Sequence, residues 1–227
     1  MKDLKDYREK ELSLYIVANI IIFLVVHKFI SINTDDTSKT VGILSQIFVA
    51  SIFSVIAFSF TLVVECLFTS GFKTNLLYLF SFFGLLYMPG YTIFTHIKNN
   101  NPDNRFSYMK VMEKHPEVYA NLPSDKKERM RYENENWNVI YNQYRDVSMI
   151  HFSNRDWLLC RDIYISTLVF IGYYIILTMM KLVEINWQYL VFLLILAAVT
   201  NFGTNRKAVR FAYNVIAYDV SKPQNKE

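Results

Sequence analysis

Five long stretches of this chain are almost free of charge, and that one feature limits what it can fold into. They cover residues 12–30, 41–68, 76–97, 163–180 and 185–202, close to half of the 227 residues. Apolar runs of 18 or more residues exceed the buried helices of ordinary soluble domains. They match the ~30 Å of hydrocarbon in a bilayer, which about 20 helical residues cross. The expected fold is all-α: a polytopic helical membrane protein with four or five transmembrane helices and a helical cytosolic insert. This excludes a secreted disulfide domain, a soluble enzyme and a disordered tail.

The two cysteines agree. Cys66 falls near the end of the second run and Cys160 just ahead of the fourth, neither with metal-type neighbours. They give no disulfide framework and no zinc site, and no cofactor motif accompanies them. The first run follows a flank, residues 2–11, with as many acids as bases. It exceeds a signal-peptide core, and no small-residue cleavage site follows at 31–35, so a retained anchor is expected.

Basic residues set the topology, because an inserting chain resists translocating them. Of the 24 Lys and Arg residues, 11 lie in 98–162 beside 10 acids. Four more (Lys2, Lys5, Arg8, Lys10) precede the first run, and Arg206, Lys207 and Arg210 follow the last. The connectors 31–40 and 181–184 hold one basic residue each. A cytoplasmic N-terminus, middle segment and C-terminus fit best, and these need an even number of crossings. Run 76–97, with Pro89-Gly90 and seven Tyr or Phe residues, is then the exception, broken into a re-entrant or interface-lying hairpin. The rival is five crossings with the N-terminal tail outside. Both keep 98–162 and the C-terminus in the cytoplasm.

Four regions follow: a membrane region at 1–97, the cytosolic insert at 98–162, a transmembrane hairpin at 163–205 and a basic amphipathic tail at 206–227. Within the insert, a short helix over 108–115 stops at Pro116, and Pro123 marks the next break. Asp125 with Glu128 has capping-box spacing and opens a helix running to about residue 151. Its apolar positions are Met130, Trp137, Ile140, Tyr141, Tyr144 and Val147. Glu128, Arg129, Arg131, Glu133 and Glu135 mark its first turns as solvated. Ser153 with Asp156 gives a second capping signature, ahead of Trp157, Arg161 and Asp162 as interfacial anchors. Arg-Asp recurs at 145–146, 155–156 and 161–162, either as solvated helix-end charges or as a network between helices. The stretch 206–220 alternates basic and apolar residues. It reads as a continuation of the fifth run or as a basic amphipathic helix on the inner leaflet.

Candidate chemistry centres on His151. With Asp156 it makes a His, four residues, Asp spacing that resembles the signature of membrane glycerolipid acyltransferases, where the Asp orients a general-base His. The Gly-rich, Arg-containing substrate motif of those enzymes has no counterpart after residue 156. With Arg145 the same His makes an Arg, five residues, His spacing similar to the active-site motif of small helical ribonucleases of bacterial defence systems. The plain alternative is a helix-end residue meeting the dipole or the headgroups. Inside the runs, Gln46, Ser51 and Ser54 suit helix–helix hydrogen bonding or pore lining, and Glu65 sits near the end of the second run. A transport pathway would want several ionisable groups converging at mid-bilayer, and the runs lack them. Trp137, Tyr141 and Tyr144 are candidate partner contacts, or else they pack on the chain's own helices. A net charge of only +4 argues against a nucleic-acid partner.

The layout, a retained N-terminal anchor, hairpin-like crossings and a charged helical cytosolic insert, resembles small multi-span membrane accessory and effector proteins of bacterial antiviral defence systems. These include four-span pore-forming effectors and CRISPR membrane accessory proteins. The resemblance implies a non-enzymatic, homo-oligomeric protein of the bacterial inner membrane. Its cytosolic insert would receive a protein partner or small-molecule signal, and its helices would perturb the bilayer. Abundant Asn, Ile, Phe and Tyr, with Lys exceeding Arg, suit an AT-rich bacterial genome.

Overall fold

The computed structural model describes residues 4–29, 48, 51, 55, 58, 59, 63, 67–77, 88–100 and 103–222. Among these residues the fold is all-α, without a strand. The helices in order are α1 (Leu4–Val26), α2 (Ser70–Leu77), α3 (Ile93–Asn100), α4 (Tyr108–Lys114), α5 (Pro116–Ala120), α6 (Lys126–Tyr144), α7 (Ser148–Met179) and α8 (Trp187–Ser221). Two of them, α7 and α8, are long and apolar enough to cross a membrane. Most of run 41–68 and residues 78–87 of run 76–97 lie outside the described residues, as do Gln46, Ser54 and Glu65.

The chain divides into two compact units. The first comprises Met1–Leu76 with Arg161–Asn201, and the second Leu77–Cys160 with Phe202–Glu227. The insert and the residues after 206 thus share one unit. The stretch 206–220 takes the first of its two expected forms, a helical continuation through Ser221.

In the first unit, short polar links hold apolar helices. The Tyr15 hydroxyl of α1 donates to Thr167 Oγ1 (2.6 Å), and Thr167 in turn donates to the Ile163 carbonyl (2.9 Å). Lys73 and Arg161 both reach Asp162, at 3.5 and 3.0 Å. The turn between α7 and α8 is closed on itself. Lys181 takes a left-handed conformation (φ 59°), and Leu182 N–H returns to the Leu177 carbonyl, which caps α7. Asn186 Oδ1 accepts from Tyr189 N–H, capping α8, while the Tyr174 hydroxyl accepts from Asn186 N–H (2.6 Å). Lys28 ends α1 the same way as Lys181, with φ 57° and Phe29 N–H on the Leu24 carbonyl.

The second unit carries a continuous apolar core. Trp137 stacks on Tyr141 (5.4 Å, 2°) and meets Phe211 edge-on (5.2 Å, 90°), and its indole N–H donates to the Ala212 carbonyl (3.3 Å). Aromatic pairs of this kind contribute about 0.5–1.5 kcal/mol beyond the area they bury. The first expected cap forms: Asp125 accepts from Lys127 and Glu128 N–H at 2.9 Å each. The short helix α4 ends at Lys114, ahead of Pro116, as expected.

Three expectations change. The helix from Asp125 ends at Tyr144, with a turn at 145–147, instead of reaching 151. Ser153 caps nothing: it lies inside α7, its hydroxyl donating to the Met149 carbonyl (2.8 Å), because α7 already opens at Ser148. Glu133, expected in solvent, has no exposed surface. It shares a helix face with Trp137, Ile140 and Tyr144, and it finds a partner there. The Pro89-Gly90 turn brings the chain onto that face so closely that a Cβ on Gly90 would stand 2.9 Å from Asn134 Cα. Thr92 follows with φ 53°, a strained backbone for a β-branched residue. At the start of α3, Glu133 then caps the exposed amides: Phe94 N–H (2.7 Å) and Thr95 N–H (3.1 Å) donate to Oε2, and the Thr95 hydroxyl donates to Oε1.

Candidate functional site

The second unit contains a polar cavity of about 280 Å³ built from two helix stripes and one loop residue. On α7, Met149, Phe152, Ser153 and Asp156 recur at i, i+3, i+4, i+7, the spacing of one helix face. Lys207, Arg210, Phe211 and Asn214 repeat that spacing on α8. The stripes are joined by two bonds, Lys207 Nζ to Asp156 Oδ2 (2.8 Å) and Asn214 Nδ2 to Ser153 Oγ (2.6 Å). The loop before α4 supplies Arg105. Its guanidinium forks onto both oxygens of Asp103, with Nη2 at 2.5 Å and Nε at 2.9 and 3.1 Å. A second cavity of about 270 Å³ adjoins it through Arg105 and Arg210 and adds Arg206 and Tyr213.

The charges in this region are unevenly matched. The Arg105 guanidinium holds the Asp103 carboxyl below the usual carboxylate range. Partial burial pushes Asp156, ahead of the apolar part of α7, upward. Its bonds to Lys207 and Arg155 outweigh burial and hold it below that range. Both carboxylates are therefore ionised and engaged near neutral pH. Arg210 is exposed and has no ion-pair partner among the described residues. Arg206 instead lies over the Phe202 ring, 5.0 Å from its centre. The arrangement offers guanidinium donors to an anion.

A second polar centre is structural. Asp219, buried, takes His115 Nε2 at 2.7 Å and Lys114 Nζ at 3.2 Å, joining the end of α8 to the α4–α5 junction. Burial raises its pKa, but its interactions with His115 and Lys114 outweigh it and hold the carboxyl below its ordinary value. Glu133 goes the other way. Burial raises its pKa despite the three donors that it caps.

The residues singled out from sequence are dispersed. His151 is half-buried on the first turn of α7, its ring 6.5 Å from that of Phe152. No hydrogen bond joins it to Arg145, which is exposed with Nε 3.9 Å from Asp146, or to Asp156, which serves Arg155 and Lys207. The reason is helical: five positions along α7 turn Asp156 about 140° away from His151. Trp137 is buried, while Tyr141 and Tyr144 are half-buried against Phe211 and Tyr218. Ser51 is exposed on a helical residue. Sequence reading missed Arg105, Ser153 and Asn214 as parts of one site and took Lys207 and Arg210 only as tail charges. The 207, 210, 211, 214 spacing carried half of the signal. Nothing local connects Arg105 to it. No family model, curated protein or solved structure matches the chain.

Proposed function

We propose that this chain is a non-enzymatic, multi-pass effector of the bacterial inner membrane, of the kind that serves antiviral defence. In this reading four or five helices span the bilayer, and the second unit faces the cytoplasm and receives a protein partner or a small-molecule signal. The spanning helices assemble into a homo-oligomer that perturbs the membrane. One observation carries the reading, the concentration of exposed apolar surface in the first unit: most large apolar side chains exposed among the described residues lie there, against Met109, Val139, Met149, Phe152 and Phe202 in the second. Ile21, Ile22 and Val25 of α1, Ile175, Ile176 and Met179 of α7, and Val191, Ile195 and Val199 of α8 are exposed, all in the first unit. The continuous core, from Ile93 to Ile216, lies wholly in the second. Lipid is the solvent that suits the first surface, and water the one that suits the second. Because α7 and α8 supply residues to both units, a ligand that favours one packing of the polar unit has a covalent route to the spanning segments.

The test is induced expression in cells loaded with a potential-sensitive dye, alone and together with the neighbouring genes. Depolarisation on induction, or on co-expression with a partner, is expected. An unchanged potential under both conditions retires the effector reading.

A further inference from the structure

The geometry points to a phosphate-binding site centred on Arg210, with Arg206 beside it. This inference goes beyond the effector reading, since it names a ligand chemistry and holds whether or not the helices breach the bilayer. It starts from charge. The two adjoining cavities are lined by Arg105, Arg206, Lys207 and Arg210 against Asp103 and Asp156 only. Both carboxylates are already spoken for. Asp103 holds Arg105 through two oxygens, and Asp156 is shared between Arg155 and Lys207 at 2.8 Å each. What remains is the positive charge of Arg210, in the wall common to both cavities, with that of Arg206 beside it. A planar guanidinium presents paired N–H donors at the spacing of phosphate oxygens, so an unpaired arginine between two recesses suits a phosphate. Ser153 and Asn214, bonded to each other, add neutral polar groups to the lining.

Depth along the helix leaves two sources. Phe202 ends the last apolar run, and at 1.5 Å per residue Arg206 and Arg210 stand about 6 and 12 Å beyond it. Polar headgroups occupy roughly the first 5–8 Å outside the hydrocarbon. The phosphate of an anionic lipid reaches such a site from the bilayer, and a soluble phosphate ester reaches it from the aqueous side. The two share one chemistry and are separated by experiment.

Full-length protein in dodecyl maltoside is unfolded thermally with added dihexanoyl phosphatidic acid, dihexanoyl phosphatidylcholine or inorganic phosphate. The proteins compared are wild type, Arg210→Ala, Arg210→Lys and Arg131→Ala. The last removes an exposed arginine that pairs with Glu135 on α6. Phosphatidic acid is expected to raise Tm saturably. Its Kd should weaken about tenfold or more in Arg210→Ala, less in Arg210→Lys, and not at all in Arg131→Ala. Stabilisation by phosphatidic acid alone assigns the site to a lipid headgroup; equal stabilisation by inorganic phosphate assigns it to a soluble ester. The inference is overturned if neither anion stabilises the wild type or if Arg210→Ala binds as well as wild type. It is equally overturned if Arg131→Ala loses as much, or if phosphatidylcholine serves as well as phosphatidic acid. Arg210 is exposed and unpaired, so the ligand-free Tm of its variants should stay at the wild-type value, and the same scans read it.

Discussion

Replacing Glu133 by alanine removes the acceptor of three donors at the start of α3. Phe94 N–H and Thr95 N–H sit 2.7 and 3.1 Å from Oε2, and the Thr95 hydroxyl rests on Oε1. A buried donor left without a partner costs about 1–3 kcal/mol. Two such amides and a hydroxyl, relaxing in part, give roughly 3–5 kcal/mol in all. At about 2–4 °C per kcal/mol for a chain of this size, Tm should fall by about 6–20 °C. Glu133→Gln keeps the shape and one carbonyl acceptor. It loses the negative charge at a helix N-terminus and turns Thr95 from donor to acceptor, for about 1–2 kcal/mol. The two variants should therefore separate clearly in thermal unfolding of the full chain, followed by far-ultraviolet circular dichroism. Hydrogen exchange should localise the damage to the Phe94 and Thr95 amides. An alanine variant within about 0.5 kcal/mol of wild type, or a glutamine variant as damaged as the alanine one, would refute the cap.

The same residue fixes the sign of a pH effect. Burial raises the Glu133 pKa in the folded state, so the native protein holds that proton more tightly than the unfolded chain does. Its contribution to stability is full below the unfolded carboxylate range and declines as pH rises through the raised folded value. Asp219 opposes it. Its folded pKa is depressed, so its contribution is present above the unfolded value and is lost as pH falls through the depressed one. Stability measured from pH 7 downward in wild type and Glu133→Gln should differ by a component that grows in favour of wild type on acidification. A difference that is flat with pH, or that grows the other way, would contradict the burial argument.

Gly90→Ala should cost about 1–3 kcal/mol by overpacking, because the new Cβ meets Asn134 Oδ1 at 2.6 Å, Asn134 Cα at 2.9 Å and Trp137 Cβ at 3.1 Å. Gly71→Ala in α2, where an added Cβ meets nothing within 4 Å, is the matched control and should leave Tm unchanged or raise it by the equivalent of up to about 1 kcal/mol. His151→Ala should stay within about 1 kcal/mol of wild type and leave the membrane-potential response intact. A folded but silent variant would return His151 chemistry to the centre of the function.

How far the sequence could be read divides along a physical line. Signals that act through the next few residues were legible. Asp125 capping α6, Pro116 and Pro123 stopping helices, and Pro89-Gly90 interrupting its run are all choices that the backbone makes locally. Choices made by tertiary partners were not. Ser153 and Asp156 match a capping signature, but a helix that has already started at Ser148 leaves Ser153 no exposed amide to cap. Glu133 sits in a charged stretch and so reads as solvated. Its spacing from Trp137 and Ile140 puts it on the apolar face, and only a helix terminus arriving from 39 residues upstream makes burial tolerable.

The anion site follows the same logic one step further. Lys207 and Arg210 advertise themselves as basic tail residues, and Asp156 as half of an Arg-Asp pair. Their meaning changes once α7 and α8 bring 156 to 207 and 153 to 214. Lys207 is then taken by Asp156, and Arg210 has no ion-pair partner among the described residues. Charge counting along the sequence sees equal cations at 206, 207 and 210; pairing in three dimensions makes them unequal. That inequality, rather than basic composition, is what a ligand can use, because a cation already satisfied offers little to an incoming anion while an unsatisfied one in a walled recess offers both charge and geometry. Neutralising Lys207 should therefore disturb the α7–α8 contact before it disturbs an anion, and neutralising Arg210 should do the reverse.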